Sequence, residues 1–110
     1  MDVPDETLDA TVVAPDHYKT VLENDRVRVL RISYRPFESG GMHQHPDSVL
    51  VCLTEMNGYM VYPDGRTEDM LVPAGVATFM AATTHRGGQK TANRFEAFLI
   101  ELKPRPSKPS

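Results

Sequence analysis

The chain has 110 residues, 40% of them hydrophobic and 25% charged, with a net charge of −3. That is enough for one domain and no second core, and the acidic balance supplies no electrostatic footprint for nucleic acid or an anionic membrane. Cys52 is the single cysteine, so an intrachain disulfide is excluded and the fold is not expected to depend on oxidising conditions.

Residues 1–10 (MDVPDETLDA) are polar and acidic, and are expected to lie loosely on the surface or extend as an arm. No basic segment leads into an apolar stretch, and no run approaches a membrane span, so a soluble cytoplasmic protein is the default expectation. From residue 11 the signals are those of strands. Residues 11–14 and 18–22 are short runs rich in β-branched or aromatic side chains, split by Pro15-Asp16. After a turn at Asn24-Asp25, residues 26–35 (RVRVLRISYR) alternate as a long strand. Pro36 to Gly41 turns the chain, 42–45 is a short extended piece, and 49–54 (VLVCLT) reads as a strand buried on both faces. Met56-Asn57-Gly58 carries a hairpin signal, with 59–62 pairing back, and Pro63-Asp64-Gly65 and Pro73-Ala74-Gly75 are further turns. Residues 66–72, 76–81, 85–91 and 95–102 (FEAFLIEL) complete the strands. The tail, 103–110 (KPRPSKPS), should be disordered. Turn signals recur every eight to twelve residues and no helical periodicity is sustained, so the expectation is an all-β sandwich or barrel over residues 11–102.

His43 and His45 are two apart in an extended segment, which puts both imidazoles on one face. Neutral imidazole is a common ligand of Zn, Fe, Ni, Mn and Cu, and two on one strand face supply half of a coordination shell. Gly40-Gly41 eases entry into this strand, and Pro46 withholds a backbone donor and ends regular pairing. His85 follows the strand at 76–81 after a short turn and offers a third ligand. Alone, a His-x-His pair is equally consistent with hydrogen-bonded core histidines.

The segment Gly41-Met42-His43-Gln44-His45-Pro46, followed by an apolar strand and Gly58, resembles the first motif of the cupin superfamily. Gly75 through His85 resembles the second, with Ala81-Ala82-Thr83 where that motif usually has Pro and Gly. The resemblance runs from about Asp25 to Leu102. It implies a small jelly-roll β-barrel of antiparallel strands, often a homodimer, with a divalent transition metal (Fe, Mn, Ni or Zn) in the barrel mouth on His43, His45 and His85. The motif's Glu ligand would fall at Val49 or Leu50, which cannot bind a metal. Either the site keeps three histidines only, or it is a metal-free pocket, and the matching positions of all three favour the former. Some cupin dioxygenases acting on thiols or diketones are similar in having three His and no Glu. The expected function is therefore a small-molecule reaction at the metal, dioxygenation or oxidative cleavage first. The alternative is a ligand- or metal-binding module without turnover.

By parity with His43 and His45, Val49 faces inward, and Val49, Val51, Met60, Tyr62 and Phe79 are expected to line the pocket. Cys52 falls on the opposite parity and is expected to be buried as a small apolar residue. Gln44 faces away, His17 is read as a surface residue, and Arg28, Arg31 and Arg35 as solvated edge charges. Glu101 stands out as a charge in an otherwise apolar strand. No catalytic nucleophile with its base, phosphate loop or second metal site is recognisable. The expected partners are a small molecule and a second copy, whose edge the arm at 11–22 would cover.

Overall fold

The computed structural model describes residues 8–104; the expectations for the rest of residues 1–10 and of the tail lie outside the described residues. One short helix, α1 (Ala10–Val13), precedes nine strands: β1 (Tyr18–Glu23), β2 (Val27–Tyr34), β3 (His43–His45), β4 (Ser48–Cys52), β5 (Met56–Val61), β6 (Thr67–Val72), β7 (Ala77–Met80), β8 (Thr83–Gln89) and β9 (Phe95–Leu102). They form an antiparallel five-stranded sheet, β1-β2-β9-β4-β7, and an antiparallel four-stranded sheet, β3-β8-β5-β6. This is a jelly roll, in which two sheets enclose one core.

The helix replaces the strand expected at 11–14. Thr11, Val12 and Val13 favour a strand by propensity, but Asp9 caps a helical turn, its carboxylate accepting from the Thr11 backbone N–H at 2.9 Å and from the Thr11 hydroxyl at 2.6 Å. Pro15 follows the turn at once, and Ala10 is fully buried. Asp9 and Ala10, at the end of the segment expected to be loose, are thus packed against the domain.

β2 and β9 lie side by side in register from Val27↔Leu102 to Tyr34↔Phe95. Their inward residues, Leu30, Ile32, Tyr34, Phe95, Ala97 and Leu99, meet Met56 and Met60 of the opposite sheet. The hairpin signal at Met56-Asn57-Gly58 marks strand rather than turn: β5 begins at Met56. Gly58 serves close strand packing there, because a Cβ would run into the carbonyl oxygen of Gly88. Gly65, at φ +86°, supplies the left-handed residue of the Pro63-Asp64-Gly65 turn, closed by Gly65 N–H donating to the Tyr62 carbonyl at 2.9 Å.

β4 is not buried on both faces as the apolar run suggested. Ser48, Leu50 and Cys52 point into the core, and Val49 and Val51 are half-buried on the outside. The reason is the crossing before it. β3 belongs to the four-stranded sheet and β4 to the five-stranded one, so Pro46 and Asp47 carry the chain from one to the other. Strand parity does not survive such a crossing, and Ser48, three residues after His45, faces inward.

Candidate metal centre

His43 and His85 are direct cross-strand partners on β3 and β8, and His45 lies two residues along β3 on the same face. All three are buried, His43 completely. Their ring centroids are 4.7 Å (His43–His45), 5.0 Å (His43–His85) and 5.5 Å (His45–His85) apart, and one ligand nitrogen from each lies within 4.8 Å of the other two. The same-face prediction for His43 and His45 therefore holds, and strand pairing adds His85. Tyr18 packs over His43 and His45 at 4.9 and 5.4 Å.

Hydrogen bonds set which nitrogen faces the centre. His43 Nδ1 donates to the Gly41 carbonyl at 2.8 Å, and His45 Nδ1 donates to Glu101 Oε2 at 2.8 Å. In the neutral ring, an Nδ1 so engaged leaves Nε2 as the lone-pair nitrogen. His43 Nε2 is buried with no hydrogen-bond partner, and so is Nδ1 of His85. Leaving such an atom unpaired costs about 1–3 kcal/mol, and a metal ion held by these residues would satisfy the Nε2 lone pair of His43. Burial, reinforced by the neighbouring imidazoles, pushes His43 down to about 4 and His85 down to about 3. Both are neutral at pH 7, the form that binds metal. The donor set fits a divalent transition ion.

No carboxylate belongs to this cluster among the described residues. Asp47 is turned away, accepting from the Ala82 backbone N–H at 2.8 Å. Ser48 holds the inward place at the start of β4 and is almost wholly buried. Glu101, the charge noted in an apolar strand, is 3% exposed and reaches the centre only through His45. Its other oxygen accepts from Arg28 Nε at 2.7 Å, and Arg28 also binds Asp9 at 2.8 Å. Arg28, expected as a solvated edge charge, is thus a clamp between two carboxylates.

Beside the triad a cavity of about 50 Å³ opens between the sheets. His45 and His85 stand on it, Leu50, Met56, Met60 and Phe95 make apolar wall, and Ser48 and Gln89 add polar groups. Of the five lining residues expected from the sequence, only Met60 takes that position. Val49, Val51 and Phe79 lie on the outer face of the five-stranded sheet, where Val49 pairs with Phe79 and Phe79 is 60% exposed: the β3–β4 crossing resets the parity of the two valines, and Phe79 on β7 lies in the other sheet from His85 on β8. Tyr62 comes within 6.3 Å of the His85 ring but donates its hydroxyl to Glu68 at 2.8 Å, away from the cavity. Cys52 is buried as expected, on the inward face. His17 is half-buried rather than a surface residue. It stacks on Tyr34 at 4.1 Å and donates from Nδ1 to the Ser33 carbonyl at 3.0 Å.

Ser48 and Tyr18 were not singled out from the sequence. Tyr18 lies 25 residues before His43, and no local pattern joins them. No local pattern marks Ser48 either, because its orientation follows from the crossing between the two sheets.

No family model matches the chain, and neither does any curated protein sequence. Solved structures do. A cupin domain from Bordetella pertussis Tohama I superposes with a TM-score of 0.72 at 24% identity, over 79% of this chain and 92% of that one. A cupin superfamily protein from Desulfitobacterium hafniense DCB-2 gives 0.58 at 15% identity, over 94% and 97%. The polyketide cyclase RemF from Streptomyces resistomycificus gives 0.57 at 22% identity, over 82% of this chain and 66% of that one. The likeness is one of fold: this chain has the small single-domain cupin fold, as its two His motifs suggested.

Proposed function

We propose that this cupin-fold chain holds a divalent transition metal, Fe(II), Mn, Ni or Zn, on His43, His45 and His85, and turns over a small molecule that chelates it. Oxygenation or oxidative cleavage is the leading reaction type. The observation that carries the reading is the convergence of three buried imidazoles, two with Nδ1 already committed and one with a buried Nε2 lacking any partner. A bound ion of this class supplies Lewis acidity and, where redox-active, one-electron chemistry.

The chain's residues set what can bind there. Three neutral ligands leave a +2 charge without direct compensation, which favours an anionic, bidentate substrate and leaves positions for it. Leu50, Met56, Met60 and Phe95 exclude water from the cavity and raise the strength of electrostatic contacts inside it. The Ser48 hydroxyl and the Gln89 amide are the polar groups there that can orient a substrate oxygen. The likeness to a polyketide cyclase supports a second reading, a non-oxidative reaction on an enolisable carbonyl compound.

Elemental analysis of untagged protein, purified without added metal, should find about one transition ion per chain, lost on His43→Ala or His85→Ala. Substoichiometric metal unaffected by either substitution overturns the site. Oxygen uptake with a panel of thiols, diketones and phenols then tests the reaction class. Diketone loss without oxygen uptake selects the second reading, and bound metal with no turnover at all selects a binding module.

A further inference from the structure

The family pattern puts a carboxylate directly on the ion, and here that place is taken by residues that cannot supply one. Ser48 occupies the inward start of β4, and Glu101 is its cross-strand partner on β9. Glu101 is in turn the cross-strand partner of Arg28 on β2. Three neighbouring strands therefore place Ser48, Glu101 and Arg28 in one row beneath His45.

The charges along this row are ordered. Asp9 Oδ2 lies 2.8 Å from Arg28 Nη2, and Asp9 Oδ1 accepts from Nη1 at 3.3 Å. Arg28 Nε donates to Glu101 Oε1 at 2.7 Å, and Glu101 Oε2 accepts from His45 Nδ1 at 2.8 Å. Two carboxylates share one guanidinium, leaving a net negative charge whose inner end is spent on an imidazole rather than on solvent. A buried carboxylate costs several kcal/mol to desolvate, and Arg28 alone would satisfy only one of its oxygens. The second oxygen's partner is a ring whose other nitrogen faces the centre.

We infer that Glu101 is the carboxylate of this centre, a positioning residue acting through His45. It holds the proton on Nδ1, fixes the ring plane, and makes Nε2 a stronger donor. Arg28, steadied by Asp9, holds Glu101 in place. The arrangement returns negative charge to the site while leaving every position not held by histidine open to substrate. This inference rests on the metal reading above, because a positioning role needs an ion to position for.

Titration of metal-free wild type and Glu101→Gln with Co²⁺ alone, followed by calorimetry, tests it. The variant keeps the shape and removes the charge, and its affinity should fall about 10–100-fold. NMR of the metal-free proteins gives a readout that a merely structural role would not move. In wild type, His43 and His45 should both carry their proton on Nδ1, that of His45 strongly deshielded by the carboxylate. In Glu101→Gln the His45 proton should move upfield while His43, bonded to the Gly41 carbonyl, stays unchanged. Equal Co²⁺ affinity in a folded Glu101→Gln protein overturns the inference. If that variant does not fold, wild type alone decides it, since His45 with its proton on Nε2 overturns it equally. Wild type that takes up no Co²⁺ overturns the metal reading itself, a result distinct from uptake that ignores Glu101.

Discussion

A histidine kept neutral by burial is both a better ligand and a liability in acid. The folded values of about 4 for His43 and about 3 for His85 lie below the ordinary 6.5. The unfolded chain therefore takes up protons first as the pH falls. Stability from these two groups is complete above pH 6.5 and is lost progressively as the pH drops toward the folded values. The unfolded chain then binds nearly two more protons than the folded one, and the slope peaks at about 2.5 kcal/mol per pH unit near pH 5. Thermal unfolding of metal-free protein should show a steep fall in Tm around that pH, about half as steep in His85→Gln. A Tm unchanged between pH 7 and 5 contradicts this. At the same scale, His43-x-His45 was legible in the sequence because alternation along a strand is a covalent property. The Glu101–His45 contact was not, because it spans 56 residues and depends on which strands become neighbours.

The strands themselves were largely legible from periodicity and turn residues, β9 to its last residue and β2 within a residue at each end. The failures have specific physical causes. Residues 10–13 became helical because one capping carboxylate outweighed the strand preference of Thr11, Val12 and Val13. β4 was placed on the wrong face because Pro46-Asp47 moves the chain between sheets. Its corrected orientation makes a prediction. Leu50→Ala, at an inward position, should cost about 2–5 kcal/mol of stability. Val49→Ala, on the half-buried outer face, should cost no more than about 1 kcal/mol, near the range of surface substitutions. Urea unfolding of the two variants checks this, and the reverse ranking would restore the inward Val49.

Across the whole molecule, the outer face of the five-stranded sheet is unusual. Leu22, Val29, Ile100, Val49 and Phe79 fall in register as one apolar row across all five strands. Leu22 is 51% and Phe79 60% exposed. β1, expected to pair with a neighbouring copy, is an edge of this sheet and leaves one side unpaired by any strand among the described residues. The homodimer expected from the sequence thus remains a proposal, now with this row and edge as its surface. Light scattering should give twice the mass of one chain, reduced toward one chain in Phe79→Asp; a monomeric wild type ends the idea.

The sequence by itself determined most of the strands and the turns at Pro63-Asp64-Gly65 and Pro73-Ala74-Gly75, the shared face of His43 and His45, and the cupin likeness that adds His85. All of these follow from alternation, turn chemistry and the order of a few residues along the chain. Only the tertiary structure decided that Ser48 rather than Val49 faces the site, and that the carboxylate near the centre is Glu101, behind His45. Those facts depend on a crossing between two sheets and on the register of β2, β9 and β4, which are set by how the whole chain packs.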